Sequence, residues 1–368
     1  MKIKTVALTN FRNYPKQNVA LGPGLNFIIG PNGEGKTNFL EAIYTLSLVK
    51  SYKSPDMDLI RLGSESSRIS GTVESKSHDI NLSVALTSEG KSASFNLTPV
   101  SRLSDYIGIM NVVLFTPDDM DLIKGGPSER RYFLDLVLGQ TDRSYLQGLS
   151  DYKHVLKQRN ELLKQLLEKK DADRDVLDIL SDQLAAAGEI VMSKRAAFID
   201  RIDREAKKMY AFLTTKEEDL SMAFQPSVPL GSLRRELRNR LSSDLFSGTT
   251  NVGPHRDDAE WFLEGQSARN YASQGEQRMI VLSVSMALCD YIGEIKGDRP
   301  IFLLDDVFSE LDSVRQNRLI HYLIDSGNQA LITATSLVEI DPLFIQQAKI
   351  FQVYQGSIRE DHHHGQPQ

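Results

Sequence analysis

Gly30-Pro31-Asn32-Gly33-Glu34-Gly35-Lys36-Thr37 is the stretch on which the reading of this chain turns. It fits the pattern G-x-x-x-x-G-K-[ST], a loop whose backbone N–H groups turn inward around phosphate oxygens. The run Leu25-Asn26-Phe27-Ile28-Ile29 before it reads as a buried strand, and Leu40, Ile43 and Leu46 after it recur at helical spacing. Strand, glycine loop and helix in that order add the positive end of a helix dipole to the cradle. Lys36 is placed to reach the β- and γ-phosphates, and the Thr37 hydroxyl to ligate Mg²⁺. Chance supplies this pattern in roughly one chain in a hundred of this length, and the flanking strand and helix make nucleotide binding the reading to carry forward.

Composition sets the class. The 368 residues are 40% hydrophobic and 25% charged, ordinary for soluble globular chains of one large domain or two. No apolar run approaches the ~20 residues of a membrane span and the N-terminus opens into strand-like sequence, so a cytoplasmic protein is expected. The single cysteine, Cys289, lies in an apolar run and reads as a small core residue. A net charge of −6 argues against an evenly basic coat for nucleic acid. Charge is nevertheless uneven: residues 128–250 hold 21 Lys+Arg against 20 Asp+Glu, leaving 22 against 29 elsewhere.

Along the chain, Lys2 to Leu8 alternates apolar and polar residues, Asn10 to Tyr14 makes a turn, and a second short strand leads to the cradle. Three alternating stretches, 68–74, 80–87 and 92–97, read as a β-meander. Gly125-Gly126-Pro127 breaks the chain before Arg130 and Arg131, and a domain boundary is placed there. Apolar residues from Tyr145 to Leu167 mark one amphipathic helix, and those from Leu177 to Met209 mark a second, a helical hairpin of roughly 35 and 55 Å. Arg234, Arg235, Arg238 and Arg240 then sit on a short helix before Gly248. The chain returns to the first domain through Asn251 to Asp258, where His255 lacks any second ligand at metal-binding spacing.

The chemistry lies further on. Ser273 and Glu276 form a capping box ahead of an apolar helix, which also offers free N–H groups to an anion. Ile301 to Leu304 is a buried strand ending in Asp305 and Asp306, and α/β sheets bind ligands at such strand ends. Asp305 is placed to hold Mg²⁺, and Asp306 to take a proton from an attacking water. Ser309-Glu310-Leu311-Asp312 follows, then a buried strand ending at Ala334 and Thr335. A terminal strand from Ile350 to Tyr354 closes the sheet, and residues 361–368, with His362 to His364, read as a disordered tail.

Cradle, Ser-x-Gly-Glu-Gln, apolar-Asp-Asp and Ser-Glu-Leu-Asp in this order resemble an ABC-type ATPase head. Asn10-Phe11-Arg12-Asn13, Asn38 to Ala42, Lys124 to Pro127, Arg130 to Asp135 and Gly253 to Asp258 extend the match to the RecF family of SMC-like ATPases over essentially the whole length. The resemblance implies an α/β fold, a P-loop sheet with an antiparallel β-subdomain and an inserted helical arm. It places the head at 1–126 and 251–360 and the arm at 127–250. It implies ATP and Mg²⁺, with Gly30 to Asn38 and Arg12 at the nucleotide. Ser273, Gln274, Gly275, Glu276 and Gln277 would meet a partner chain's nucleotide, with Ser309 and Asp312 as the D-loop. Lys36, Asp306 and Thr335 would be catalytic, Thr335 standing near where transporters carry a switch histidine. The family further implies an ATP-dependent homodimer on double-stranded DNA near gaps, slow ATP hydrolysis, association with the nucleoid, and partnership with RecR and RecO in loading RecA.

Lys50, Lys53, Arg130, Arg131, Arg234, Arg235 and Arg238 are the candidate DNA contacts. Two rivals share the nucleotide motifs: an ABC transporter subunit, which the arm disfavours, and an SMC-like bridging protein, for which the insert is short. An OLD-type nuclease would add a carboxylate-rich C-terminal domain after Tyr354.

Overall fold

The computed structural model describes residues 1–361 apart from 77, 118, 169–173, 217 and 338–339, and the side chains of Glu168 and Glu310 are outside the description. The expected tail with His362 to His364 lies outside the described residues. By contact density the chain divides into two compact units, Met1–Asp119 with Met209–Lys216 and Arg278–Gln368, and Met120–Lys208 with Glu217–Gln277.

Strands that are buried at every position need cover on both faces, and three of them form the centre of the first unit's main sheet. Its order is Ser357–Glu360, Lys349–Tyr354, Leu25–Ile29, Ala330–Ala334, Ile301–Leu304, Val112–Phe115. All neighbours are parallel except the terminal hairpin. Leu25–Ile29, Ile301–Leu304 and Ala330–Ala334 are buried throughout. The parallel register aligns Ile29 with Ala334 and Leu304 with Ile332, so the residues following these strands emerge at one end of the sheet.

A second, antiparallel sheet runs Tyr14–Ala20, Lys2–Phe11, Ser66–Ser75, His78–Thr87, Gly90–Phe95, Thr98–Pro99. Its strands alternate, with Ile69, Val73, Leu82, Val84 and Leu86 buried on one face. The expected meander is therefore present, and the chain closes with a hairpin rather than the single strand expected after Ile350.

The second unit carries helices at Pro127–Thr141, Arg143–Glu168 and Arg174–Thr214. The last of these helices passes into the first unit at Met209. The proline-flanked stretch Leu220–Gln225 is a strand, pairing antiparallel with Asp258–Leu263. That pairing extends the second unit to Gln277, past the boundary expected near residue 250. Of the arginines expected on one helix, Arg234, Arg235 and Arg238 lie on the short helix Leu233–Asn239, and Arg240 stands between it and a second, Leu241–Ser247, ended by Gly248 at φ +66°.

The interior of this unit holds full charges. Arg159 and Asp244 are both fully buried, paired at 2.8 Å, with Arg159 also donating to Thr250 Oγ1 at 2.7 Å and Ser181 Oγ at 2.9 Å. A buried pair contributes little net stability, but removing one partner leaves the other charge without compensation. Asp244→Ala is expected to destabilise the chain by about 3–5 kcal/mol, read from urea unfolding, and Arg159→Met with Asp244→Leu to recover much of that loss.

Candidate nucleotide site

The glycine loop has geometry only glycine meets at two positions. Gly35 adopts φ +118°, and a Cβ there would strike the Asn13 side-chain amide. Gly30 has the Val353 carbonyl where its Cβ would sit. The loop is tied from outside: Asn13 Nδ2 donates to Glu34 O at 2.8 Å, Tyr14 Oη to Gly35 O at 2.8 Å, and Gly356 N to Glu34 O at 3.3 Å. Asn38 Nδ2 completes the clamp through Asn13 Oδ1 at 2.9 Å. The cradle is thus braced by the first hairpin and the last one, whereas Pro31, Asn32 and Gly33 stay exposed.

Lys36 begins the Lys36–Leu48 helix with its ammonium folded onto the loop, donating to Gly30 O at 2.6 Å and Pro31 O at 2.9 Å. Burial lowers its pKa, opposed by the carboxylates of Asp306, Asp305 and Glu34. The ammonium therefore sits in partial desolvation among carbonyls that a phosphate oxygen outcompetes as an acceptor.

Asp305 is the focus of the site. It is 7% exposed and its Oδ1 accepts from Thr37 Oγ1 at 3.0 Å and Thr333 Oγ1 at 2.6 Å. Thr333 in turn accepts from Asp306 N at 2.8 Å. Desolvation raises the Asp305 pKa, resisted by the two hydroxyls and by the charge of Lys53. Asp306 turns the chain at φ +47° and its carboxylate accepts from Ser309 Oγ at 3.1 Å. Asp312 caps the Ser313–Ser326 helix through Arg315 N at 2.9 Å. Gln316 Nε2 pins the intervening turn, donating to Phe308 O and Leu311 O at 3.0 Å each. Thr335 is exposed one residue beyond the Ala330–Ala334 strand.

Among the described residues no group of three His, Cys, Asp or Glu side chains could cage a metal. A hydroxyl and one carboxylate at 3.0 Å form a sparse oxygen set that suits Mg²⁺, which keeps waters and takes its remaining ligands from phosphates.

Arg12, expected at the nucleotide, donates Nε and Nη2 to the two oxygens of fully buried Glu41 at 2.9 and 2.8 Å. Glu41 also accepts from Ser51 Oγ at 2.6 Å, and Ser51 Oγ accepts from Lys53 N and Ser54 N. This network fixes the turn that carries Tyr52 and Lys53. The supporting residues Tyr14, Ser51, Thr333 and Gln316 carry no sequence signal as site residues, because each acts across the fold; Asn13 and Glu41 lie in stretches that carry the family resemblance, but their bonding partners lie elsewhere in the chain.

The capping box at Ser273 is present in the second unit: Ser273 N donates to Glu276 Oε2 at 2.8 Å and Glu276 N to Ser273 Oγ at 3.3 Å. It opens the Gln274–Lys296 helix with Ser273, Gln274 and Gly275 exposed. Gln277 is buried and holds the preceding segment by donating to Ala268 O at 2.9 Å.

The candidate DNA contacts differ in availability. Arg130 is 4% exposed, bidentate to Asp258 at 2.7 Å and bonded to Gly125 O at 2.7 Å. Each of its three guanidinium nitrogens makes one of these bonds, so Arg130, expected as a DNA contact, is committed to the fold here. Arg131 is half-buried and gives Nη1 to Asp257 O at 2.9 Å. Arg234 and Arg238 share Asp182, and Arg235 pairs with Glu236 at 3.2 Å; all three remain exposed. Lys50 and Lys53 are exposed. His255 bonds Tyr152 Oη at 2.6 Å and Thr250 O at 3.0 Å.

The family model of the RecF/RecN/SMC N-terminal domain matches residues 2–357. The DNA replication and repair protein RecF of Streptococcus equi subsp. zooepidemicus is 42% identical over 98% of this chain and 99% of its own length. The chain belongs to the RecF family. The RecF protein of Shouchella clausii is 38% identical over 98% of this chain and 99% of its own. A solved structure of the recombination mediator protein RecF with ATP superposes with a TM-score of 0.89 at 30% identity, covering 98% of this chain and 97% of that one. An Smc head domain from Pyrococcus furiosus matches at a TM-score of 0.57 and 17% identity, covering 98% and 96%, and shows the shared fold alone. The ABC-type α/β fold expected from the motifs is thus the fold of the RecF family.

An acid whose folded pKa is raised contributes stability below its ordinary pKa and loses it as pH rises through the raised value. Asp305 is therefore a destabilising charge at neutral pH. Asp305→Asn is expected to raise the melting temperature of the nucleotide-free chain near pH 7. The gap should narrow as pH falls through the raised Asp305 pKa, measured by thermal unfolding of both proteins across an acid-to-neutral series.

Proposed function

We propose that this chain is an ATP-dependent DNA-binding protein of recombinational repair that joins a second copy of itself on ATP and hydrolyses ATP slowly. The observation that carries the reading is the junction of Thr37 and Asp305, 268 residues apart, directly behind an exposed glycine loop. Support comes from relatives named for DNA replication and repair and from the RecF–ATP structure.

In this reading Lys36 leaves the carbonyls of Gly30 and Pro31 for the β- and γ-phosphates, so each bond it loses is replaced by a charge-assisted one. Thr37 and Asp305 would hold Mg²⁺, which supplies neutralisation of phosphate charge. Thr333 keeps the Asp305 oxygen oriented. Arg12 supports the site from behind, through Glu41 and the turn bearing Lys53. Asp306 accepts the proton of the attacking water, and Ser309 orients its carboxylate. Ser273, with the N–H groups of residues 274–277, meets the γ-phosphate of a partner's nucleotide as a helix N-terminus meets an anion. Ser309 and Asp312 lie against the partner, and Thr335 stands close to the phosphate end.

Duplex DNA is then gripped by cations gathered when two heads join, with Lys50, Lys53, Arg131, Arg234, Arg235 and Arg238 as contributors. Such contacts read backbone rather than bases. RecR, RecO and RecA are the functional partners in this reading, which suits a RecFOR-pathway protein acting near gaps.

Lys36→Ala is expected to abolish productive ATP binding, and Asp306→Asn to keep ATP binding while stopping hydrolysis, read by nucleotide titration and phosphate release. Unchanged turnover in Asp306→Asn removes that residue as the base. Duplex binding by wild type should require ATP and weaken by about 0.9 log unit per log unit of salt for each phosphate neutralised. Ser273→Arg should lose this binding with its own ATP cradle intact; equal binding by the variant contradicts a clamp made by two heads.

A further inference from the structure

The turn at residues 253–258 is fixed far more completely than a connecting loop requires. Gly253 adopts φ +124° with Tyr152 Oη where a Cβ would lie. Ser227 Oγ donates to Gly253 O at 3.0 Å and accepts from Gly253 N at 2.9 Å. Arg195 Nη1 donates to Pro254 O at 2.7 Å, and His255 is held at both ring nitrogens. Asp257 is fully buried, accepting from Ser227 N at 2.9 Å and pairing with Arg195 at 3.4 Å. Asp258 is the bidentate partner of Arg130.

One side chain of the turn is left out of this bonding. Arg256 is exposed, and among the described residues its guanidinium has neither a hydrogen bond nor an ion pair. Arg131 donates Nη1 to the carbonyl of the next residue of the turn, Asp257, at 2.9 Å. Both guanidinium groups act on His255: burial, first, lowers that imidazole's pKa, and Arg256 and Arg131 push the same way. The turn's own carboxylates are bonded to other arginines, Asp257 to Arg195 and Asp258 to Arg130, and their charges, with that of Asp135, also reach Arg131. Glu129, on the same helix as Arg131, is bonded to Ser128.

We infer that Arg256, together with Arg131, is a contact on a preorganised turn for the phosphodiester backbone of nucleic acid. A guanidinium matches phosphate geometry with paired N–H donors, and a turn already ordered by buried bonds loses little entropy when it binds. The turn presents no exposed apolar side chain of the kind that anchors a protein partner, since Pro254 is buried. The inference rests on the DNA-binding reading above and assigns a site within it.

The test is duplex binding with ATP over a salt series, on several unrelated sequences, by wild type, Arg256→Ala, Arg256→Lys and Arg131→Ala. Arg256→Ala should lower the log–log salt slope by about 1.8, about 0.9 for each copy in the ATP-joined pair, equally for every sequence, while melting temperature and ATP affinity stay at wild-type values because Arg256 makes no internal bond. Arg256→Lys should keep the slope. Arg131→Ala should lower it by a similar amount. If wild type binds duplex and Arg256→Ala shows the same affinity and slope, the inference is overturned and the DNA-binding reading stands. If wild type binds no duplex with ATP, both fall.

Discussion

One carboxylate organises the head. Asp305 follows one parallel strand and accepts from a hydroxyl at the end of the neighbouring strand, Thr333, and from one at the start of the cradle helix, Thr37. The two bonds tie together elements 28 and 268 residues away in sequence. They work only because the parallel register brings Ile29, Leu304 and Ala334 to one end of the sheet. The arrangement keeps an acid in a desolvated place where its charge is disfavoured without a cation. The buried strands beneath supply the stability that a desolvated carboxylate requires.

Much of that was legible from local pattern. The cradle, the buried strand ending in Asp305 and Asp306, and the Ser273 capping box are short motifs whose geometry is set within a few residues, and each has the structure its spacing implies. The helices of the arm were equally legible, because apolar residues at three- and four-residue intervals persist over many turns. What the sequence hid depends on distant partners. Leu220–Gln225 is a strand because Asp258–Leu263 pairs with it, and the two prolines that follow it concealed that. Arg130 looked like a free cation because its acceptor lies 128 residues on. Asn13 and Glu41 stand in stretches that carry the family resemblance, yet the bonds by which they brace the site, to partners 21 and 29 residues away, are not legible there.

The second unit shows how a chain of net negative charge keeps cations at its surface. Its arginines divide by environment rather than by position in sequence. Arg130, Arg159 and Arg195 are consumed by buried and half-buried carboxylates and hold helices and the 253–258 turn together. Arg234, Arg235 and Arg238 remain exposed but shared with Asp182 and Glu236. Net charge is therefore a poor guide here, because the cations available to phosphate are the few left over after folding, and their grouping decides the local field.

The central claim is that the helix beginning at Ser273 completes a partner's nucleotide site, so that ATP joins two chains. Its most direct measurement is molar mass in solution by light scattering, using Asp306→Asn to hold ATP intact. The account predicts a doubled mass with ATP and Mg²⁺, a single mass with ADP or no nucleotide, and a single mass with ATP once Ser273→Arg is added to Asp306→Asn. A doubled mass in the Ser273→Arg, Asp306→Asn protein, or an unchanged mass in Asp306→Asn with bound ATP, would contradict it.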